Sequence, residues 1–425
     1  MKIEKLTFLN YRCFDNFQLD FKKGTNLLFG ANSSGKTSIL QGIKIAMSSF
    51  FSGFSDINTR FIGIAPNDFT TETDSETEYL ERPVSLEYDF TEFRNLKLTR
   101  SGRKNRTSIS GIKEMRDASK KLYQQLAIED NGSIALPLFA AFSTEDIHSS
   151  RKLDKTIFAK YIQPRSFGYY ECLQGDGFFN YWIYRLLVLT EGQKSLSEIN
   201  IVKEALSKAL GPQGCNIIDG ISIRPLKKQV FFKYIDGREI EASNLSDGYK
   251  RLVNIVIDLS IRCCLLNGKR YGTECCELTS GIVLIDEIDQ HLHPELQTLV
   301  MKALRTTFPE LQFIITSHAP MVMSSVMTNQ ENKVILLQYQ DKTYTSTPIS
   351  TYGLDATTIL ESYMGNLARV AEVHNKLKAL FELIDTDQYT EARNALNELK
   401  NEFGDSLPEI SQAQSMLDFN LDSND

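Results

Sequence analysis

Ten residues near the start of the chain, Phe29-Gly30-Ala31-Asn32-Ser33-Ser34-Gly35-Lys36-Thr37-Ser38, fit the spacing G-x-x-x-x-G-K-[ST]. That spacing builds a loop able to wrap a row of phosphates. Gly30 and Gly35 let the backbone turn tightly, so the N–H groups of Asn32, Ser33, Ser34 and Ser38 can point inward at anionic oxygens. Lys36 supplies a mobile positive charge for the outer phosphates. The Thr37 hydroxyl is a hard oxygen ligand suited to Mg²⁺. A helix beginning at this point adds its positive end to the same anion site. The context agrees: Asn26 to Phe29 is a short apolar run suited to a buried strand, and Ile39, Ile43 and Met47 recur at helical spacing. A nucleotide triphosphate is therefore the expected ligand.

Two further runs bring the groups that hydrolysis would need. Ile282-Val283-Leu284-Ile285 is a buried-strand pattern that ends in Asp286 and Glu287. A parallel strand delivers both carboxylates at its C-terminal edge, Asp286 toward the metal ion and Glu287 toward an attacking water. Phe313-Ile314-Ile315-Thr316-Ser317-His318 is a second such strand. The His318 imidazole at its tip can hydrogen-bond a terminal phosphate or the lytic water. Asn244 to Arg251 precedes an apolar-periodic helix, with Ser246 placed as N-cap and Gly248 in the first turn. This is a second phosphate-facing helix end in a chain with only one set of catalytic carboxylates. It implies a split site, completed by another copy of the chain.

The remaining sequence must position these groups. At 425 residues, 42% hydrophobic and 24% charged, the composition is that of an ordinary globular protein, with room for two or three domains. No stretch approaches the length of a membrane span, and the first residues lack the apolar region of a signal peptide. Seven cysteines with no C-x-x-C spacing imply reduced thiols and a cytoplasmic setting. The net charge of −7 excludes a uniformly basic coat. Between Arg94 and Lys121, however, ten Lys/Arg face only Glu114 and Asp117. That stretch is either a solvated hairpin and helix or a groove for nucleic acid or an acidic partner surface.

Alternation marks strands at 3–9 and 17–21, forming a hairpin, and a second hairpin over 84–90 and 96–100. Helices follow over 112–126, 182–189 and 199–210, and a hairpin over 230–240 turns at Asp236-Gly237. Residues 52–80 carry loop composition. No sustained heptads separate the phosphate loop from Ser246, so long coiled-coil arms are excluded. From residue 367 two amphipathic stripes, Val370 to Ile384 and Ala392 to Phe403, predict a helical hairpin ending in a tail with Asp418, Asp422 and Asp425. His291 and His293 flank Leu292 and are expected to pack beneath the catalytic loop rather than bind metal.

The order of these motifs (phosphate loop, Leu245-Ser246-Asp247-Gly248-Tyr249, Leu284 to Pro294, Ser317-His318-Ala319-Pro320) resembles ABC-type ATPase heads of the SMC/RecF class. It looks closest to a bacterial family of predicted ATP-binding proteins involved in virulence, which includes the Septu PtuA ATPases of antiphage defence. Asn10 to Phe14, Phe308 to Ile314, Tyr352-Gly353 and Ile359 to Glu361 extend the match. The resemblance implies an α/β fold: a mixed central sheet with helices on both faces, an antiparallel β lobe and a C-terminal helical hairpin. The head would span 1–365, with a lobe inserted at about 52–243, and the hairpin and acidic tail 366–425.

It also implies ATP and Mg²⁺ held between two heads, with Ser246 and Gly248 touching the opposite subunit's γ-phosphate. Asp289 would link the two sites, Arg12 would sit near the nucleotide, and His318 would act as the switch. A separate nuclease effector, such as an HNH protein, is the implied partner, because none of the five histidines forms a nuclease constellation. Asp247 and Tyr249 depart from the transporter signature L-S-G-G-Q, which counts against transport. The glutamine that usually ligands Mg²⁺ has no secure position, Gln163 and Gln174 being the candidates. DNA repair of the RecF type, and a nucleotide-gated scaffold with little hydrolysis, are the alternatives.

Overall fold

The computed structural model describes all residues except 57, 71–81, 129–131, 144–154, 176–177, 194–195, 366–369, 405–406 and 423–425. Part of the loop expected over 52–80, and Asp425 of the expected tail, lie outside the described residues. The chain divides into two compact units, Met1–Asp355 and Ala356–Asp425.

The first unit is organised by a six-stranded sheet of order β14-β13-β3-β12-β11-β7. Its strands are β3 (Thr25–Gly30), β7 (Leu138–Phe142), β11 (Gly281–Ile285), β12 (Leu311–Ser317), β13 (Lys333–Gln340) and β14 (Thr343–Ile349). All contacts are parallel except β13 with β14, so the sheet is mixed. Every residue of β3, β7, β11 and β12 is buried. That explains their unbroken apolar runs: a strand covered on both faces has no solvent side to alternate with. Each large aliphatic or aromatic side chain so buried contributes about 1.5–3 kcal/mol.

A second sheet, β2-β1-β4-β5-β6, is wholly antiparallel. It comprises β1 (Ile3–Tyr11), β2 (Phe14–Asp20), β4 (Val84–Phe90), β5 (Leu96–Arg100) and β6 (Ser108–Gly111). The two hairpins legible in the sequence thus join edge to edge, through β1 and β4. The third sheet is β10-β9-β8, from β8 (Ile218–Arg224), β9 (Gln229–Tyr234) and β10 (Glu239–Glu241).

The helices of this unit are α1 (Lys36–Ser48), α2 (Lys113–Ile128), α3 (Lys155–Phe158), α4 (Phe179–Glu191), α5 (Leu196–Leu210), α6 (Asp247–Tyr271), α7 (Cys275–Leu278), α8 (Pro294–Thr307) and α9 (Pro320–Ser325). Helix α6 is the spine. It buries both apolar residues and an internal polar network: Trp182 Nε1 donates to Asp258 Oδ1 at 2.6 Å, and Arg262 Nε donates to Asp258 Oδ2 at 2.7 Å. The span 52–243, expected as an inserted lobe, also contributes to the sheets around the site. It supplies β7 to the central sheet, β4–β6 to the antiparallel sheet, and α5, which packs on α6.

The second unit contains α10 (Ala356–Tyr363), α11 (Ala371–Asp385), α12 (Tyr389–Phe403) and α13 (Pro408–Asp422). Where a helical pair and a tail are expected, three helices share one core. Leu377, Leu380 and Ile384 of α11 meet Leu396 and Leu399 of α12, and Ile410, Ala413 and Leu417 of α13. Asp418 and Asp422 are thus helical residues rather than tail. The acidic composition hid the stripe at 410, 413 and 417, which needs a partner groove to become visible. Val370 lies outside its predicted stripe, 70% exposed at the N-cap of α11.

Candidate functional site: a phosphate cradle

Register explains how motifs separated by hundreds of residues converge. Phe29 pairs with Ser317, and Ile285 with Ile315, all in parallel strands. The C-terminal ends of β3, β11 and β12 therefore lie side by side on one sheet edge, where ligands of such sheets bind. There, a cavity of about 330 Å³ is walled by Cys13, Asn32 to Ser38, Asp286, Glu287, His318 and Tyr344. Lys36, Thr37, Asp286, Glu287 and His318, read from three separate motifs, face one space.

The loop geometry shows why its glycines are required. Gly35 has φ of 89°, and a Cβ there would lie 2.5 Å from the Phe14 ring. A Cβ on Gly30 would lie 2.4 Å from the Leu337 carbonyl. Lys36 is buried, and its ammonium donates to the carbonyls of Gly30 at 2.8 Å and Ala31 at 2.9 Å. Burial lowers its pKa, opposed by the nearby carboxylates of Asp286, Glu287 and Asp289. An anionic ligand would relieve that penalty.

The carboxylates are set by a residue that the motif reading overlooked. Thr316, fully buried on β12, donates its hydroxyl to Asp286 Oδ1 at 2.5 Å and accepts the Glu287 N–H at 2.7 Å. Glu287 itself has φ of 48°, an uncommon conformation for a non-glycine residue. Its carbonyl is held from the other side by Arg251 Nη1 at 2.7 Å. Arg251 also donates to the Asp286 carbonyl and to Gln290 Oε1 at 3.0 Å. Arg251 sits one turn into α6, so the helix capped by Ser246 grips the loop after β11 of its own chain. The only sequence signal for Thr316 was its place one residue before the strand tip, and Arg251 had none.

At the head of α6, Ser246 occupies the N-cap position, but its side chain makes no capping bond and is exposed. Gly248 is needed for close packing: a Cβ would lie 2.2 Å from the His291 carbonyl. Neither Ser246 nor Gly248 lines the phosphate cavity of its own chain. Asp289 accepts the backbone N–H of His318 at 3.3 Å, tying the loop after β11 to the tip of β12. Leu292 is buried, whereas His291 and His293 are exposed rather than packed beneath the loop. Arg12 is bound through Nε to buried Asp68 at 2.7 Å and lines a neighbouring cavity, not the cradle. Gln163 and Gln174 are absent from the cradle wall; Gln163 donates to the Ile157 carbonyl.

The basic stretch is partly spent within the fold. Arg94 pairs with Glu4, Lys97 with Glu87 at 2.6 Å, and Arg100 binds carbonyls including those of Ile64 and Gly102. Lys104, Arg106, Lys113, Lys120 and Lys121 remain exposed.

Fold and cradle together define a phosphate-loop nucleotide hydrolase. A family model described as "AAA domain, putative AbiEii toxin, Type IV TA system" matches residues 25–324, and the chain belongs to that family. It is an ATPase. It is similar to the "Retron Vc95 probable ATPase" of Vibrio cholerae serotype O1 biovar El Tor, with 24% identity covering 91% of this chain and 84% of the relative. The "Retron Ec83 probable ATPase" of Escherichia coli is 23% identical, covering 77% and 70% of the two chains. "Septu protein PtuA" of Bacillus thuringiensis is 24% identical, covering 83% and 81%. These relatives bear out the resemblance to PtuA-like ATPases. Among solved structures, an SMC head bound to the C-winged helix domain of ScpA overlaps with a TM-score of 0.47 at 15% identity, covering 82% of this chain and 98% of that one. Among the described residues, no helix is long and apolar enough to cross a membrane.

Proposed function

We propose that the chain binds ATP with Mg²⁺ in the cradle, hydrolyses it when two copies meet head to head, and thereby controls a separate nuclease effector in antiphage defence. The convergence of Lys36, Thr37, Asp286, Glu287 and His318 on one cavity carries this reading.

The Thr37 hydroxyl and Asp286 carboxylate are hard oxygen donors. They fit Mg²⁺, which takes few protein ligands and completes its shell with phosphates and water. When bound, the ion would neutralise phosphate charge. Lys36 exchanges its two carbonyl partners for phosphate oxygens. Glu287 accepts a proton from the attacking water, its backbone locked by Thr316 and Arg251. His318 donates to the terminal phosphate from the tip of β12. The uncommitted Ser246 hydroxyl and the head of α6 are free to meet the phosphates held by a second copy. The names of the retron and Septu relatives support a defence role, and the exposed lysines of α2 offer a face for a nucleic-acid trigger.

Complementation tests the split site. Lys36→Ala and Ser246→Ala chains should each be inactive alone. Mixed in equal amounts, they should recover about a quarter of wild-type ATP turnover, because about half of the dimers are mixed and each keeps one intact site of two. Absence of recovery would exclude completion in trans. Full ATP affinity in Lys36→Ala would exclude the cradle itself. Co-purification of the intact assembly with a small nuclease would support the effector role.

A further inference from the structure

The wall of the cradle is short of positive charge. Among the described residues, Lys36 is the one lysine or arginine that lines it, and it faces the carboxylates of Asp286 and Glu287. A bound triphosphate adds more negative charge than one divalent ion offsets. The nearby arginines are committed elsewhere: Arg12 to Asp68, and Arg251 to the carbonyls of Asp286 and Glu287. Further cationic charge is therefore left to the face that closes the site. That face surrounds the head of α6, where Asp247 is acidic and the Lys250 ammonium lies over the Phe179 ring at 5.6 Å. Beside it stands the turn between β9 and β10. Tyr249, in the first turn of α6, meets the Tyr234 ring edge-on at 5.8 Å, and the Arg238 guanidinium lies 5.4 Å from the same Tyr234 ring. Gly237 takes φ of 87°, and the Tyr234 N–H donates to the Arg238 carbonyl at 2.8 Å, so the turn is tight. The Arg238 side chain is 67% exposed and pairs at 2.6 Å with Asp236, itself half exposed. An exposed pair of this kind contributes little, and a guanidinium can exchange its carboxylate for a phosphate.

We propose that Arg238 is a catalytic residue supplied in trans, reaching from one copy to the terminal phosphate held in the cradle of the other; the proposal rests on the split site described above. The Tyr234–Tyr249 contact ties the β9–β10 turn to the helix end that carries Ser246, so the hydroxyl and the cation arrive together on one face. A planar guanidinium offers parallel N–H donors to two phosphate oxygens. Its charge counts most as negative charge builds on the transferred group, in a site closed to water. A lone copy then holds ATP without hydrolysing it, because its own cradle has the carboxylate for the water but lacks the second cation.

ATP turnover by mixed full-length chains tests this, with the Lys36→Ala and Ser246→Ala mixture as control. Arg238→Gln alone should lower kcat about a thousandfold, the lower end for an arginine delivered to a transferring phosphoryl group, while the calorimetric ATP affinity of the isolated copy stays at its wild-type value. Mixed in equal amounts with Lys36→Ala, it should recover about a quarter of wild-type turnover. An Arg238→Gln/Ser246→Ala double variant should recover equally beside Lys36→Ala, because both lesions fall on one completing face. Asp236→Asn keeps the acceptor for the Arg238 backbone N–H but removes the opposing charge, and should turn over ATP as the wild type does. A fall of less than tenfold in Arg238→Gln, absence of recovery by the double variant, or an equal loss in Asp236→Asn would overturn the assignment. If the control mixture itself fails to recover, the split site is misassigned, a result distinct from failure of Arg238 alone.

Discussion

Replacing Thr316 with valine exchanges one hydroxyl for a methyl group and leaves the buried volume nearly unchanged. Two bonds disappear: the donation to Asp286 Oδ1 at 2.5 Å and the acceptance of the Glu287 N–H at 2.7 Å. The first is charge-assisted, worth about 1.5–3 kcal/mol, and the second leaves a backbone donor without its partner, at about 1–3 kcal/mol. The two act on adjacent residues, so they are not additive. Glu287 has φ of 48°, with its N–H held by Thr316 and its carbonyl by Arg251 and the Gln290 N–H. Loss of one anchor should release it toward ordinary backbone angles and withdraw its carboxylate from the cavity.

Positional loss worth about 1.4–2.8 kcal/mol corresponds to a ten- to hundredfold fall in kcat. Affinity for ATP should change far less, because the loop of residues 30–38 is untouched. Steady-state phosphate release and calorimetric binding read the two quantities separately. Thr316→Ser keeps both hydrogen bonds and should retain near wild-type kcat. If Thr316→Val hydrolyses ATP at the wild-type rate, or if the serine variant is equally impaired, the bridge between the carboxylates has no catalytic role.

Two further outcomes follow from the same cavity. Burial lowers the folded pKa of Lys36 below 10.5, the neighbouring carboxylates opposing the shift. The empty chain should therefore gain stability as pH rises through that depressed pKa toward 10.5, where the unfolded chain holds the extra proton. ATP affinity should fall over the same window, which denaturant titration and calorimetry at several alkaline pH values would reveal; affinity constant up to pH 10.5 would contradict it. Cys13 lines both the cradle and the neighbouring cavity, whereas burial pushes the Cys172 and Cys215 thiols up to about 12. Maleimide labelling followed by peptide mass spectrometry should show Cys13 modified in the empty chain and protected by ATP, with Cys172 and Cys215 unreactive in both states; equal labelling of Cys13 with and without ATP would place the nucleotide elsewhere.

The four chemical motifs were legible in the chain because each is local. A glycine-bounded loop before a helix, two acids after an apolar run, a histidine at a strand end and a serine before a helix all depend on neighbours within ten residues. The apolar runs likewise announced buried parallel strands, since full burial removes alternation. What the sequence could not contain is register. Thr316 bridges Asp286 and Glu287 only because β11 and β12 align Ile285 with Ile315, and no periodicity in either strand encodes that offset. Arg251 reaches Glu287 in the loop after β11 across 36 positions of chain, and Tyr344 meets Phe14, which abuts the phosphate loop, across 330. The third helix of the C-terminal unit stayed hidden for a related reason: an apolar stripe of three small contacts, Ile410, Ala413 and Leu417, declares itself only against the groove it fills. Local chemistry thus determined what this protein binds and hydrolyses. Pairing between distant strands decided which side chains hold the reacting groups in place, because hydrogen bonds and packing act through space and the sequence records only order along the chain.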